Sequence, residues 1–319
     1  MIGNVIVGQS GGPTAVINSS LAGVYQTARD RGAKKIYGML HGIKGLLDRQ
    51  YVDLSQKIRS AMEIDLLKRT PSSYLGSCRY KLPDVASDKA TFEKIFAILK
   101  ELEIEYFFYI GGNDSMDTIA KLSQYAEEIK SPIRFIGVPK TIDNDLAITD
   151  HTPGFGSAAK FIASTMKEII RDGLVYDYPT VTVVEIMGRN AGWLTAASAL
   201  SKSEDCEGVD LIYLPEKPFN IDMFITRVKE ISASGKSVVI AVSEGIKLPD
   251  GRYVFELGQH ADSVDAFGHK QMSGTASFLA TKLQLELGVK ARAIELSTLQ
   301  RCAAHISSRT DITEAFNVG

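Results

Sequence analysis

Short runs of apolar and β-branched residues recur along the chain, at Asn4–Val7, Lys35–Leu40, Glu105–Ile110, Arg134–Val138, Val181–Ile186, Leu211–Leu214, Ser237–Val242 and Arg292–Leu296. Several are apolar almost throughout rather than alternating, the pattern of strands covered on both faces. Between them the spacing becomes helical. Over Thr91–Leu102 the apolar residues Phe92, Ile95, Phe96, Ile98, Leu99 and Leu102 share one face of a 3.6-residue period. Ala15–Arg29, Ser115–Glu127, Ser157–Arg171, Ile221–Ser232 and Gly274–Leu285 read the same way. Strands alternating with helices predict an α/β fold with a mostly parallel sheet, and 319 residues suit two such sheets. The polar stretch Ser201–Gly208 reads as a surface loop.

Nearly every predicted strand runs straight into a polar or glycine-rich loop. Val5–Val7 leads to Gly8-Gln9-Ser10-Gly11-Gly12, and Tyr106–Ile110 to Gly111-Gly112-Asn113-Asp114-Ser115. Phe135–Val138 leads to Pro139-Lys140-Thr141-Ile142-Asp143-Asn144-Asp145, Val183–Ile186 to Met187-Gly188-Arg189-Asn190, and Val238–Val242 to Ser243-Glu244-Gly245. In open α/β sheets ligands bind beyond the carboxyl ends of the strands, so all five loops are expected to face one cleft.

Each loop carries its own chemistry. Gly11 and Gly12 allow backbone N–H groups to approach a phosphate just before a helix, although glycine pairs after strands are as often plain tight turns. The pattern is not a P-loop, because no GxxxxGK[ST] is present. Gly111 and Gly112 repeat the arrangement. There Asp114 adds a carboxylate that could hold Mg²⁺ beside phosphates or merely help cap the helix, and Ser115 could cap it too. Lys140, Thr141, Asp143 and Asp145 offer a base, a second carboxylate and a cation within six residues, the parts phosphoryl transfer needs; a solvated Asx turn is the bland alternative. Arg189 presents a planar donor fork suited to phosphate, and Glu244 an acceptor suited to sugar hydroxyls. Arg79, Arg292 and Arg301 could bind phosphate or serve as ordinary surface ion-pair partners. His41, His151, His260, His269 and His305 show no metal spacing and read as structural.

The bulk properties narrow the class. A net charge of −2 argues against a nucleic-acid surface, so an anionic substrate needs its cations gathered locally. No apolar run approaches membrane-spanning length, and the opening Met1–Gly12 lacks the basic start of a signal peptide. Three scattered cysteines, Cys78, Cys206 and Cys302, read as free thiols of a reducing cytoplasm.

Taken in order, GQSGGP, GSCR, GGNDS, PKTIDND, MGRNAGWL, SEG and LQR resemble the phosphofructokinase family, from about Val5 to Arg301. The pairing of PKTIDND with MGRNAGW is the most specific part. The resemblance implies two similar three-layer α/β/α, Rossmann-like domains with the active site in the cleft between them. It places a donor-binding domain at 1–154 plus 300–319 and a fructose 6-phosphate domain at 155–299. It implies Mg²⁺-dependent transfer of a phosphoryl group to the 1-hydroxyl of fructose 6-phosphate by a cytoplasmic homodimer or homotetramer, with neither nucleic acid nor membrane as partner. By matching motif, Asp143 resembles the base, with Thr141 and Asp145 beside it, and Arg189 the residue that steadies the transferring group. Met187, Gly188 and Glu244 correspond to the sugar pocket, and Arg292 and Arg301 to the grip on the 6-phosphate. Gly11, Gly12, Arg79, Gly111, Gly112, Asp114 and Ser115 line the donor side.

Two positions bear on the donor. ATP-using members typically carry glycine where this chain has Asp114 and Lys140. The added bulk and charge resemble the pyrophosphate-dependent branch, with an ATP-dependent enzyme as the alternative. Because pyrophosphate hydrolysis releases less free energy than ATP hydrolysis, such a reaction is expected to run both ways, in glycolysis or gluconeogenesis. A non-catalytic sugar-phosphate-binding subunit would be marked by loss of Asp143, Arg189 or Lys140, and all three are present. A more distant kinase sharing only GGxxS would lack PKTIDND and MGRN. The chain departs from the family at Asn113, often aspartate, and at Thr180, often basic. It also has only about 18 residues after Arg301, where members usually continue through a further helix and strand.

Overall fold

The computed structural model describes residues 3–258 and 273–319, so His260 and His269 lie outside the described residues. The chain divides into two compact units, Met1–Ser157 with Arg301–Gly319, and Ala158–Gln300.

Unit 1 begins with β1 (Asn4–Gln9), α1 (Ile17–Asp30), β2 (Ile36–Met39), α2 (Gly42–Leu47), β3 (Tyr51–Asp53), α3 (Leu54–Lys57) and α4 (Ala61–Arg69). It continues with α5 (Lys89–Glu101), β4 (Ile104–Gly111), α6 (Asn113–Glu128), β5 (Arg134–Pro139) and the start of α7 (Phe155–Gly173). The sheet order is β3-β2-β1-β4-β5, parallel except for the edge strand β3, which pairs antiparallel to β2. Successive side chains of a strand point to opposite faces. Val5 and Val7 of β1 therefore pack with Ile17, Leu21, Val24 and Tyr25 of α1, while Ile6 packs with Ile43 and Leu46 of α2 and Phe92 and Ile95 of α5. A strand apolar on both faces needs helices on both sides, and that makes three layers.

Helix starts follow local chemistry. Asp88 accepts from Thr91 N–H at the start of α5 (3.2 Å), and Ser60 forms a capping box with Glu63 at α4.

Unit 2 holds most of α7, then β6 (Thr180–Ile186), α8 (Trp193–Ala197), β7 (Leu211–Tyr213), α9 (Ile221–Ser232), β8 (Val238–Ser243), α10 (Thr275–Leu287), β9 (Lys290–Glu295) and α11 (Leu299–Cys302), the last reaching into unit 1. Its sheet, β7-β8-β6-β9, is parallel throughout, and β6 and β8 are buried at every position. Val181, Val183, Val238, Ile240 and Val242 pack against Phe224 and Val228 of α9 and Leu279 and Leu283 of α10. The segment 202–208 is the expected surface loop, with Lys202–Asp205 and Glu207 exposed; it turns where Ser203 and Cys206 exchange backbone hydrogen bonds, and Cys206 is buried. The chain closes with α12 (Arg309–Val318), packed on α1 in unit 1.

Candidate active site

Parallel β1, β4 and β5 end at the same edge of their sheet, so three of the five loops collect there. Ser10 N–H donates to Ile110 O (2.9 Å), Gly11 N–H to Cys78 O (3.2 Å), and Ser77 Oγ–H to Gly11 O (2.5 Å). The segment carrying exposed Arg79 is thereby laid against Gly11 and Gly12. At the end of β4, Gly112 is the N-cap of α6 and supplies no side-chain cap. Ser115 is not the cap its position suggested. It lies buried beneath the turn, and a Cβ at Gly111 would stand 1.9 Å from its Oγ, so only glycine fits there. Asp114 is exposed in the first turn of α6, where a carboxylate complements the helix dipole and where backbone N–H groups favour phosphate.

Lys140 joins these loops from beneath. Its backbone N–H donates to Gly111 O (2.9 Å) and its Nζ to Gly12 O (2.6 Å), with the side chain almost fully buried. Burial pushes the ammonium down to about 8; Asp143 and Asp145 pull it up, and the Arg301 guanidinium pushes it further down. Arg301 stands beside the same turn, since a Cβ on Gly12 would lie 3.1 Å from its NH1.

The loop after β5 closes on itself. Thr141 N–H donates to Pro153 O (3.2 Å) and Thr152 Oγ–H to Thr141 O (2.8 Å). Asn144, left-handed at φ 55°, accepts from Thr152 N–H (2.9 Å) and donates to Asp150 O (3.2 Å). Asp143 N–H donates to Thr141 Oγ1 (3.1 Å), leaving its half-buried carboxylate on a fixed turn. Asp145 is exposed and accepts from the Asn113 side-chain amide (2.8 Å). The amide at 113 thus meets Asp145 with a donor, where a second carboxylate would repel it unless a proton or cation stood between.

In unit 2 the loops after β6 and β8 also lie at one sheet edge. Gly188 N–H donates to Glu244 Oε1 (3.3 Å), and Ser243 Oγ donates to Gly188 O (2.6 Å) while accepting from Gly245 N–H (3.0 Å). Gly188 adopts φ +137°, open only to glycine. Exposed Arg189 follows it directly. Gln300, the middle residue of the LQR motif, had no role assigned from sequence; it is buried and accepts from Met187 N–H (3.0 Å) while donating to Ser297 O (2.9 Å). Arg292 is not gathered with Met187 and Glu244. It pairs across from Thr182 in mid-strand, about 15 Å back along β6, and donates to Thr182 Oγ1 (3.0 Å) and Asp172 (2.8 Å). Thr180 lies at the amino end of β6, bonded to Ser237.

A mostly parallel sheet whose carboxyl edge carries two glycine turns, a helix N-terminus and a buried ammonium has the features that suit an α/β protein to hold phosphate. Residues 4–302 match the family described as Phosphofructokinase. The chain is 42% identical to the "Pyrophosphate--fructose 6-phosphate 1-phosphotransferase" of Xanthomonas campestris pv. campestris, covering 99% of this chain and 75% of that protein. The enzyme of the same name from Methylococcus capsulatus is 41% identical over the same shares of the two chains. The crystal structure of pyrophosphate-dependent phosphofructokinase from Nitrosospira multiformis superposes with a TM-score of 0.83 at 37% identity, over 98% of this chain and 73% of that one. The chain belongs to the phosphofructokinase family.

Proposed function

We propose that this chain transfers a phosphoryl group from pyrophosphate to the 1-hydroxyl of fructose 6-phosphate, giving fructose 1,6-bisphosphate and phosphate, and that it does so in both directions. The observation that carries this reading is the buried Lys140 ammonium, bonded to Gly12 O at 2.6 Å under the glycine turns. A point cation so placed suits a small, densely charged donor. Exposed Asp114 adds bulk and negative charge where a nucleotide would otherwise extend.

Asp143 takes the proton of the 1-hydroxyl as that oxygen attacks phosphorus. The bridging P–O bond of pyrophosphate breaks, and the leaving phosphate carries the released charge. Lys140 and Arg189 offset charge on the transferring group, and Thr141 fixes the turn that aims Asp143. Gly11, Gly12, Gly111, Gly112 and Ser115 form the donor cradle with Arg79 at its side. Met187, Gly188 and Glu244 bind the sugar hydroxyls and Arg301 the 6-phosphate, whereas Arg292, bonded to Thr182 and Asp172 back along β6, takes no part in this pocket.

Mg²⁺ fits this chemistry. Among the described residues no three His, Cys, Asp or Glu side chains converge on a ready-made metal cage. Mg²⁺ in phosphoryl-transfer sites usually takes only one or two carboxylates, with phosphate and water completing its shell. Asp114 and Asp145 would hold it, and it would neutralise phosphate charge. Among the described residues no helix is long and apolar enough to cross a membrane, and the three cysteines are free thiols. The family resemblance, rather than these features, is the ground for reading the chain as a cytoplasmic homodimer or homotetramer. The test is formation of fructose 1,6-bisphosphate from fructose 6-phosphate, pyrophosphate and Mg²⁺, with Asp143→Ala losing roughly 10²–10⁴-fold in kcat. An Asp143→Ala chain that keeps its turnover contradicts the assigned base.

A further inference from the structure

Asp311, on α12, lies 168 residues beyond Asp143 in sequence and takes no part in the chemistry above. It is nevertheless one of the most buried carboxylates of the described residues, 2% exposed, and both its oxygens are occupied. Oδ1 accepts from Gly154 N–H and Oδ2 from Ser157 N–H, each at 2.9 Å. The contact is reciprocal, because Ser308 N–H at the start of α12 donates to Ser157 Oγ (3.1 Å). A carboxylate bound by two amides at the start of α7 is a charge-assisted cap that also complements the helix dipole.

The position of that cap matters. Gly154 closes the loop that carries Asp143: it forms an isolated parallel bridge with Thr141, and its neighbours Thr152 and Pro153 bond to Thr141 O and N. Thr141 Oγ1 in turn receives Asp143 N–H. A set of hydrogen bonds of 2.8–3.2 Å, linked along the backbone, thus runs from Asp311 through Gly154 and Thr141 to the backbone of Asp143. A second tie joins the same elements, His151 Nε2 to Glu314 at 2.5 Å, but both partners are well exposed and this pair is correspondingly weak.

We propose that Asp311 is a positioning residue for phosphoryl transfer: it pins the closing turn of the 141–154 loop so that Asp143 is held on line with the acceptor hydroxyl. The inference rests on the assignment of Asp143 as base. The donor cradle is tied by other bonds, Ser10 to Ile110, Gly11 to Cys78 and Lys140 to Gly12, so loosening Asp311 leaves donor binding in place.

The test is Asp311→Asn, which keeps the shape but turns an amide N–H₂ toward one of the two backbone donors. Steady-state kcat is measured per folded molecule, and imidodiphosphate, an unreactive pyrophosphate analogue, is titrated by calorimetry. The expected result is a kcat loss of roughly 10–100-fold, the effect of about 1 Å of misplacement, with imidodiphosphate affinity and KM for fructose 6-phosphate within two-fold of the parent. A kcat within three-fold of the parent overturns the proposal. So does a parallel loss of kcat and analogue affinity, which marks a purely structural residue. If Asp311→Asn does not fold, Asp311→Glu, which keeps the charge at α7 but displaces the pin, takes its place with the same thresholds. Asp143→Asn measured alongside separates the two claims: if it retains full turnover, the base assignment fails, whatever Asp311→Asn does.

Discussion

Replacing Lys140 by methionine should leave the protein at least as stable and make it a far poorer catalyst. The ammonium sits in an almost fully buried site, and burial lowers it from 10.5 to about 8. At about 1.4 kcal/mol per pH unit, holding it charged costs the fold about 3 kcal/mol. Below pH 8 lysine is protonated in both folded and unfolded chains, so the cost is fully present at pH 7. Between about 8 and 10.5 the unfolded chain binds the extra proton, and stability rises with pH. Methionine removes this cost but loses the 2.6 Å charge-assisted bond to Gly12 O, worth about 1.5–3 kcal/mol. The net expectation is a gain of about 0–1.5 kcal/mol at pH 7 and a flatter stability profile from pH 8 to 10.5, read by urea denaturation. Removing a preorganised cation should lower kcat/KM for pyrophosphate by roughly 10²–10³-fold, read by coupling fructose 1,6-bisphosphate formation to NADH oxidation. A variant that is less stable at pH 7 yet retains kcat/KM refutes the reasoning, because the lysine would then be a structural strut rather than a cation held against its own desolvation.

Three further outcomes follow from the same geometry. Glycine at both 114 and 140 should depress pyrophosphate use by at least 10²-fold and open measurable turnover with ATP; continued silence with ATP would show that other residues exclude the nucleotide. Asn113→Asp sets a second carboxylate where the amide now donates to Asp145 at 2.8 Å, so Mg²⁺ should be needed at lower concentration and the metal-free protein should lose about 1 kcal/mol; an unchanged Mg²⁺ titration would contradict this. Glu185, buried in β6 and bonded to Ala276 N–H, is pushed up to about 7, chiefly by burial. The folded chain therefore binds the extra proton between about 4.5 and 7, stability falls as pH rises through that window, and Glu185→Gln should flatten the fall in a denaturation series.

The sheet strands were legible because β1, β6 and β8 are buried at every position, and such runs admit little but strand or core. Helices α5 and α9 were legible from their apolar faces. By contrast, α2 contains Gly42 and Gly45 in only six residues, and its helix is held by Ile43 and Leu46 in the core rather than by propensity. Strand β3 is three residues long at a sheet edge, below the length at which alternation can be read. The candidate site motifs stood out because their residues are contiguous. The contacts of Gln300 and Asp311 were not legible, since each binds backbone amides more than 100 residues away, and no local pattern encodes that distance. The burial of Lys140 was equally hidden: the sequence shows a charged residue in a polar loop, and only the packing of Gly12 and Gly111 above it reveals the site.

The central claim is the choice of donor. The most direct test is kcat/KM for fructose 1,6-bisphosphate formation from fructose 6-phosphate and Mg²⁺ with pyrophosphate and, separately, with ATP. Turnover with pyrophosphate at least 10²-fold above that with ATP is the predicted result. Equal or greater turnover with ATP would contradict the roles given to Lys140 and Asp114.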